Sequence, residues 1–91
     1  MELDILDREK ARTIVDGIER LVSNNPFFSI PCKKICGCSY EFEFKLYGND
    51  YDMARLNENI EKMDYVEYCE AIWNDEDGGY DFWGIVDVGC V

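Results

Sequence analysis

Apolar positions along residues 3 to 23 recur at helical spacing. Leu3, Leu6, Ala11, Ile14, Val15, Ile18, Leu21 and Val22 fall on one stripe, which predicts an amphipathic helix. Asp4 and Asp7 stand near its start, where the helix dipole favours anions, and Asn24, Asn25 and Pro26 end it. The period changes at SYEFEFKLY, residues 39 to 47. Tyr40, Phe42, Phe44 and Leu46 alternate with Glu41, Glu43 and Lys45, the pattern of a half-buried strand. Helical spacing returns over residues 52 to 63 with Met53, Leu56, Ile60 and Met63, supported by Glu58 and Lys62 four positions apart.

Between the first helix and that strand, NNPFFSIPCKKICGC holds two prolines and a glycine and reads as irregular. Phe27, Phe28, Ile30 and Ile35 are expected to tuck it against the core. YVEYCEAIW, residues 65 to 73, has the composition of a strand but no clean alternation. YDFWGIVDV, residues 80 to 88, presents Tyr80, Phe82, Val86 and Val88 on one side. Gly78 and Gly79 permit a tight turn between the two, which predicts a C-terminal β-hairpin. The expected fold is a single α+β domain over residues 1 to 91. Its order is α-β-α-β-β, with a three-stranded sheet and both helices packed on one face.

Charge changes this picture most. The chain carries 20 acidic and 9 basic residues, for a net charge of −11. Residues 1 to 38 hold six acids and six bases, so the entire excess lies in residues 39 to 91. Direct nucleic-acid binding needs Lys and Arg against phosphate and is disfavoured, as is an anionic membrane. A basic protein partner is favoured, with electrostatic steering of the encounter. The acids with no evident partner include Glu41, Glu43, Glu67, Glu70, Asp75, Glu76, Asp77, Asp81 and Asp87. Glu41 and Glu43 on one strand face lie about 6.6 Å apart, near the spacing of successive phosphates on a nucleic-acid strand.

The hairpin tip is expected to project Asp75, Glu76 and Asp77. Asp81 and Trp83 share the strand face opposite Tyr80 and Phe82. Trp83 beside acids suits an Arg-rich partner by packing and cation–π contact; the bland alternative has the first helix covering it. These residues, with Glu41, Glu43, Glu67 and Glu70, form the candidate partner-binding set.

Other chemistries find less support. The chain has five cysteines and no histidine, which leaves a cysteine nucleophile without its usual base. Cys32, Cys36 and Cys38, with Cys69, offer a zinc set of unusual spacing and no CxxC; reduced structural thiols are the plainer reading. From Asp75, an EF-hand would place glycine at the sixth position and Glu at the twelfth, but the chain has Gly78 fourth and Val86 twelfth. No catalytic residue and no cofactor are expected. No run of 18 apolar residues exists, and MELDILDREK has acids where a secretion signal has bases, so a cytoplasmic location is expected.

In size, acidity and lack of catalytic motif, the chain resembles phage-encoded inhibitors of bacterial defence, such as anti-CRISPR and anti-restriction proteins. That likeness is one of class and transfers no residue. The expected function is a non-enzymatic protein that docks an acidic face onto a basic, nucleic-acid-binding protein and occupies its groove. The alternative is a small cysteine-containing metal-binding or complex-subunit domain whose acidity serves solubility.

Overall fold

In a computed structural model, described here for the backbone of residues 2–89 and the side chains of residues 7–89, the order is α1 (Glu2–Val22), β1 (Cys32–Cys36), β2 (Ser39–Leu46), α2 (Asp50–Glu61), β3 (Val66–Asn74) and β4 (Gly79–Asp87). The α+β class holds, but the sheet has four strands in the order β1-β2-β4-β3, every neighbouring pair antiparallel. The three-stranded expectation is therefore corrected. Pro31 and Gly37 flank the strand Cys32–Cys36 and do not interrupt it. Gly37, at φ 53°, makes the turn that folds β1 back on β2. β4 inserts between β2 and β3, so those two strands run parallel without touching, and α2 makes the crossover.

One core joins the elements. Ala11, Val15 and Ile18 from α1 and Leu56 and Ile60 from α2 meet Tyr40 and Phe42 of β2 and Tyr80, Phe82 and Val86 of β4. These strand residues alternate along their strands, so they line one sheet face, and both helices cover that face. Phe42, Phe82, Ile18, Ile30, Ile60, Val15 and Val86 are fully buried, each burial contributing roughly 1.5–3 kcal/mol. Phe44 and Leu46 are only partly buried, although the alternation places them inward.

Three expected core residues are exposed: Leu21, Ile35 and, at 92%, Phe27. Phe27 follows Asn25, whose side-chain oxygen accepts from the Phe27 backbone N–H at 2.9 Å. That local turn carries the ring outward while Phe28 packs on the core. Ile30 is held by Glu19, which accepts from the Ile30 N–H at 2.6 Å and from Arg12 Nη2 at 2.6 Å, while Arg12 Nη1 donates to Ile30 O at 2.8 Å. This clamp fixes the entry into β1. Leu3 and Leu6 lie outside the described side chains.

α2 starts from a capping box. Asn49 accepts from Asp52 N at 2.8 Å, and the Asp52 side chain accepts from Asn49 N. The Lys62–Glu58 pair forms at 3.0 Å. No described helix is long and apolar enough to cross a membrane.

Candidate functional site: an acidic open sheet face

The face of the sheet turned away from the helices carries Glu41, Glu43 and Lys45 from β2, and Asp81, Trp83, Ile85 and Asp87 from β4. β3 adds Tyr68, Glu70 and Ile72, in register with Ile85, Trp83 and Asp81. Trp83 stands at the centre of this face, in one cross-strand row between Glu43 and Glu70. Its indole Nε1 donates to Glu41 Oε2 at 3.2 Å, and Tyr68 meets its ring edge-on at 5.7 Å. Tyr68 in turn donates its hydroxyl to Glu70 Oε2 at 2.7 Å, which holds the phenol above its usual pKa. Trp83 is half-buried among these neighbours and is not covered by α1, which packs on the other face.

No ion pair holds Glu41, Glu43 or Glu70 among the described residues. Two basic residues of α1 are engaged away from this face. Arg12 pairs with Asp16 and Glu19 of its own helix. Lys10 donates to Val88 O at 3.2 Å and sits 4.0 Å above the Tyr65 ring.

The hairpin tip is different. Lys45 reaches across from β2 to pair with Asp77 and, at 3.3 Å, with Asp81. Asn74 Nδ2 donates to Asp77 at 3.2 Å and to Asp81 at 3.0 Å. The Asn74 hydrogen bond and then Lys45 hold the Asp81 carboxyl below its usual pKa. The bond to Asp77, with Asp81 adding to it, raises Lys45. Trp73 donates its indole N–H to Asp75, and Gly78 takes φ 68° to close the turn. Asp75 and Asp77 are thus tied within the tip, and the Glu76 side chain is exposed.

Of the sequence-derived set, the fold brings Glu41, Glu43, Glu70, Asp81 and Trp83 onto one face and sets Asp75, Glu76 and Asp77 at one end of it. Glu67 lies at the other end of β3, about 23 Å from the tip by strand rise. Tyr68, Ile72, Ile85 and Asp87 belong to this face and were not in the set. The signal that hid Tyr68 is a bulge. Val66 pairs with Val86, but Tyr68 pairs with Ile85, so Glu67 is an extra residue that reverses the in–out alternation of β3.

Among the described residues no group of three or more Cys, Asp or Glu could hold a metal ion. Cys32, Cys36 and Cys69 are free thiols, and Cys38 is disulfide-bonded, contrary to the expectation of five reduced thiols. Burial, then Glu61 and Glu70, push the Cys69 thiol up to about 12, and burial raises Cys32 as well.

Comparison with protein-family models, with curated proteins and with solved structures gives no match.

Proposed function

We propose that the protein is a non-enzymatic binding protein that docks its open sheet face onto a basic protein surface. In its most concrete form it is an inhibitor that occupies the nucleic-acid-binding groove of its target, as anti-CRISPR and anti-restriction proteins do. The observation that supports this reading most is the convergence of Glu41, Glu43 and Glu70 on Trp83, with no cation paired to any of the three among the described residues. An arginine from a groove finds an indole ring for cation–π contact there, with carboxylates on either side for charge-assisted hydrogen bonds. Carboxylates spaced about 6.6 Å along β2 match the length scale on which such a groove places its cations against phosphates. Asp81 and the tip acids Asp75, Glu76 and Asp77 extend the negative field at one end, and Glu67 at the other. The reading places the protein in the cytoplasm, with its target.

The experiment is affinity capture from cell lysate on the immobilised protein. A basic protein should be retained at about 50 mM salt and released at about 500 mM, where the Debye length falls below ~5 Å. Added duplex DNA or RNA should displace the protein from the captured target. Retention that ignores salt contradicts electrostatic docking, and capture that nucleic acid does not disturb contradicts groove occupancy.

A further inference from the structure

The sheet ends in two edge strands, and one is guarded far more heavily than the other. β1 has five residues, with Pro31 before it and Lys33 and Lys34 near its centre, features that keep an edge from pairing with another chain. β3 has nine residues, holds no lysine and no proline, and pairs with β4 alone. The register says which of its backbone groups are unused. Asp87 N donates to Tyr65 O and Val88 N to Cys38 O. The odd-numbered residues of β4 therefore turn their backbone groups to β3, and the even-numbered ones to β2. It follows that Tyr68, Glu70 and Ile72 bond to β4, while Cys69, Ala71 and Trp73 point their N–H and C=O outward. The bulge at Glu67 twists the start of the strand, and Cys69 is only 3% exposed. Ala71 and Trp73 are accessible, and their outward groups bond to nothing among the described residues. Residues 70–74 are thus an open edge.

The side chains beside this edge define what it can receive. Ile72 is 58% exposed on the open face, and Trp73, packed edge-on against Tyr80, is 49% exposed on the other, so apolar surface flanks the strand on both sides. The charges are of one sign. Glu67 and Glu70 lie on β3, Asp75 follows it, and Glu61 of α2 is close enough to Cys69 to raise its thiol. None of these four acids enters an ion pair among the described residues. A second copy of the chain fits this edge badly. Antiparallel pairing centred on Glu70 opposes Glu70 with itself, and pairing centred on Ala71 sets Glu67 against the second copy's Asp75. Centred on Ile72 it sets Glu67 against Asp77, and centred on Trp73 it sets Glu70 against Glu76. Like charges directly opposite each other destabilise a strand pair, so the edge suits a cationic segment.

We propose that residues 70–74 of β3 take up an extended segment of a basic protein as a fifth, antiparallel strand of the sheet. Ala71 and Trp73 exchange N–H and C=O bonds with it. An arginine or lysine of the segment stands opposite Glu70 and a second one opposite Asp75, with apolar residues between them. The side chain opposite Ala71 is a large one, because alanine leaves room beside Trp73. The inference rests on the docking reading only in taking the segment from the same basic protein, whose groove then meets the open face adjoining this edge.

The test is a ¹H–¹⁵N NMR titration of the full chain with blocked peptides of sequence Arg-Thr-Val-Ile-Val-Arg-Thr. In antiparallel register these set arginines opposite Asp75 and Glu70. N-methylation of the isoleucine closes the far edge of the peptide and keeps it from stacking on itself. N-methylation of the two valines instead removes the N–H groups that face Ala71 and Trp73. The isoleucine-methylated peptide should saturate below about 1 mM, shift the Ala71 and Trp73 amides downfield and slow their exchange. The valine-methylated peptide should bind at least about tenfold more weakly, as should the first peptide with glutamate in place of arginine. Ala71→Pro removes an outward N–H that the β3–β4 ladder does not use, and should abolish binding. If that variant does not fold, the two methylated peptides still decide. Several results would overturn the assignment: no saturation below about 5 mM, equal affinity for the two methylated peptides, equal affinity for the acidic one, or undiminished binding by folded Ala71→Pro. Shifts at Glu41, Glu43 and Trp83 with Ala71 and Trp73 unmoved would also overturn it, and would leave the docking reading standing. Movement of the Ala71 and Trp73 amides on dilution of the chain alone, with a dimer in sedimentation equilibrium, would overturn it in favour of a second copy.

Discussion

Trp83 donates its indole N–H to Glu41 across the β2–β4 pair at 3.2 Å, on the sheet face that neither helix covers. That bond fixes the ring orientation and holds a carboxylate beside the aromatic surface. Tyr68 braces the ring from β3 and is itself held by Glu70. The resulting group is ordered before any partner arrives, which lowers the entropy lost on docking. The arrangement depends on the sheet backbone beneath it, and the first prediction concerns that support.

Gly84 lies between Phe42 and Cys69 in the cross-strand register, directly after Trp83. A Cβ at this position would come within 2.4 Å of Phe42 Cζ and 2.5 Å of the Tyr68 carbonyl oxygen. Neither can yield easily: the Phe42 ring is fully buried, and the carbonyl belongs to β3. Gly84→Ala is expected to destabilise by about 2–3 kcal/mol, which lowers Tm by roughly 8–24 °C in a domain of this size. Thermal unfolding followed by circular dichroism checks this. A change within a degree or two of the parent would mean that the Phe42 ring does not lie over Gly84.

The clamp at the hairpin tip predicts a pH signature. Asp81 is held below its usual pKa, so its contribution to stability is present above about pH 4 and lost as pH falls through the folded value. Lys45 is raised, so its contribution is present below about pH 10 and lost as pH climbs through its folded value. Lys45→Gln should therefore lower Tm by a small amount at pH 7, and the difference from the parent should vanish below about pH 3. Tm curves for the two proteins from pH 2 to 8 measure this. A difference that persists unchanged at pH 2 would show that Lys45 acts through packing and not through Asp77 and Asp81.

The three free cysteines among the described residues should separate by reactivity. Cys69 is buried with a pKa pushed up to about 12, and Cys36 is exposed. Alkylation at pH 8, read by peptide mass spectrometry, should modify Cys36 first, Cys32 more slowly and Cys69 only after denaturation. Early modification of Cys69 in the folded protein would contradict its burial beneath Gly84.

The elements that periodicity alone could place were legible, and the misses have local causes. The α1 and α2 stripes and the alternation of Tyr40 and Phe42 are direct prints of one-sided burial, as is the inward face of β4. β1 was hidden because CKKIC has lysines at its centre and only one partly buried residue, Cys32; an edge strand needs no inward alternation. β3 was blurred by the bulge at Glu67, and with it Tyr68 went unnoticed. The surplus of acid in residues 39 to 91 was plain, and three of those acids do meet around Trp83. What composition could not tell is that Lys45 and Asn74 engage Asp77 and Asp81 at the tip, because that depends on how far β2 and the hairpin twist toward each other.

The most direct measurement is the affinity of the captured basic protein for three forms of this chain at about 100 mM salt, by calorimetry or surface plasmon resonance. The first form is the parent, and the second is Glu41→Gln, Glu43→Gln, Glu70→Gln. The third neutralises the tip as Asp75→Asn, Glu76→Gln, Asp77→Asn; Tm should be unchanged or higher in the face variant, where like charges are relieved, and slightly lower in the tip variant, where Lys45 loses its pair with Asp77. Docking through the open face predicts a loss of at least about a hundredfold for the face variant, and a smaller loss of about tenfold for the tip variant. Equal affinity for the parent and the face variant would contradict it.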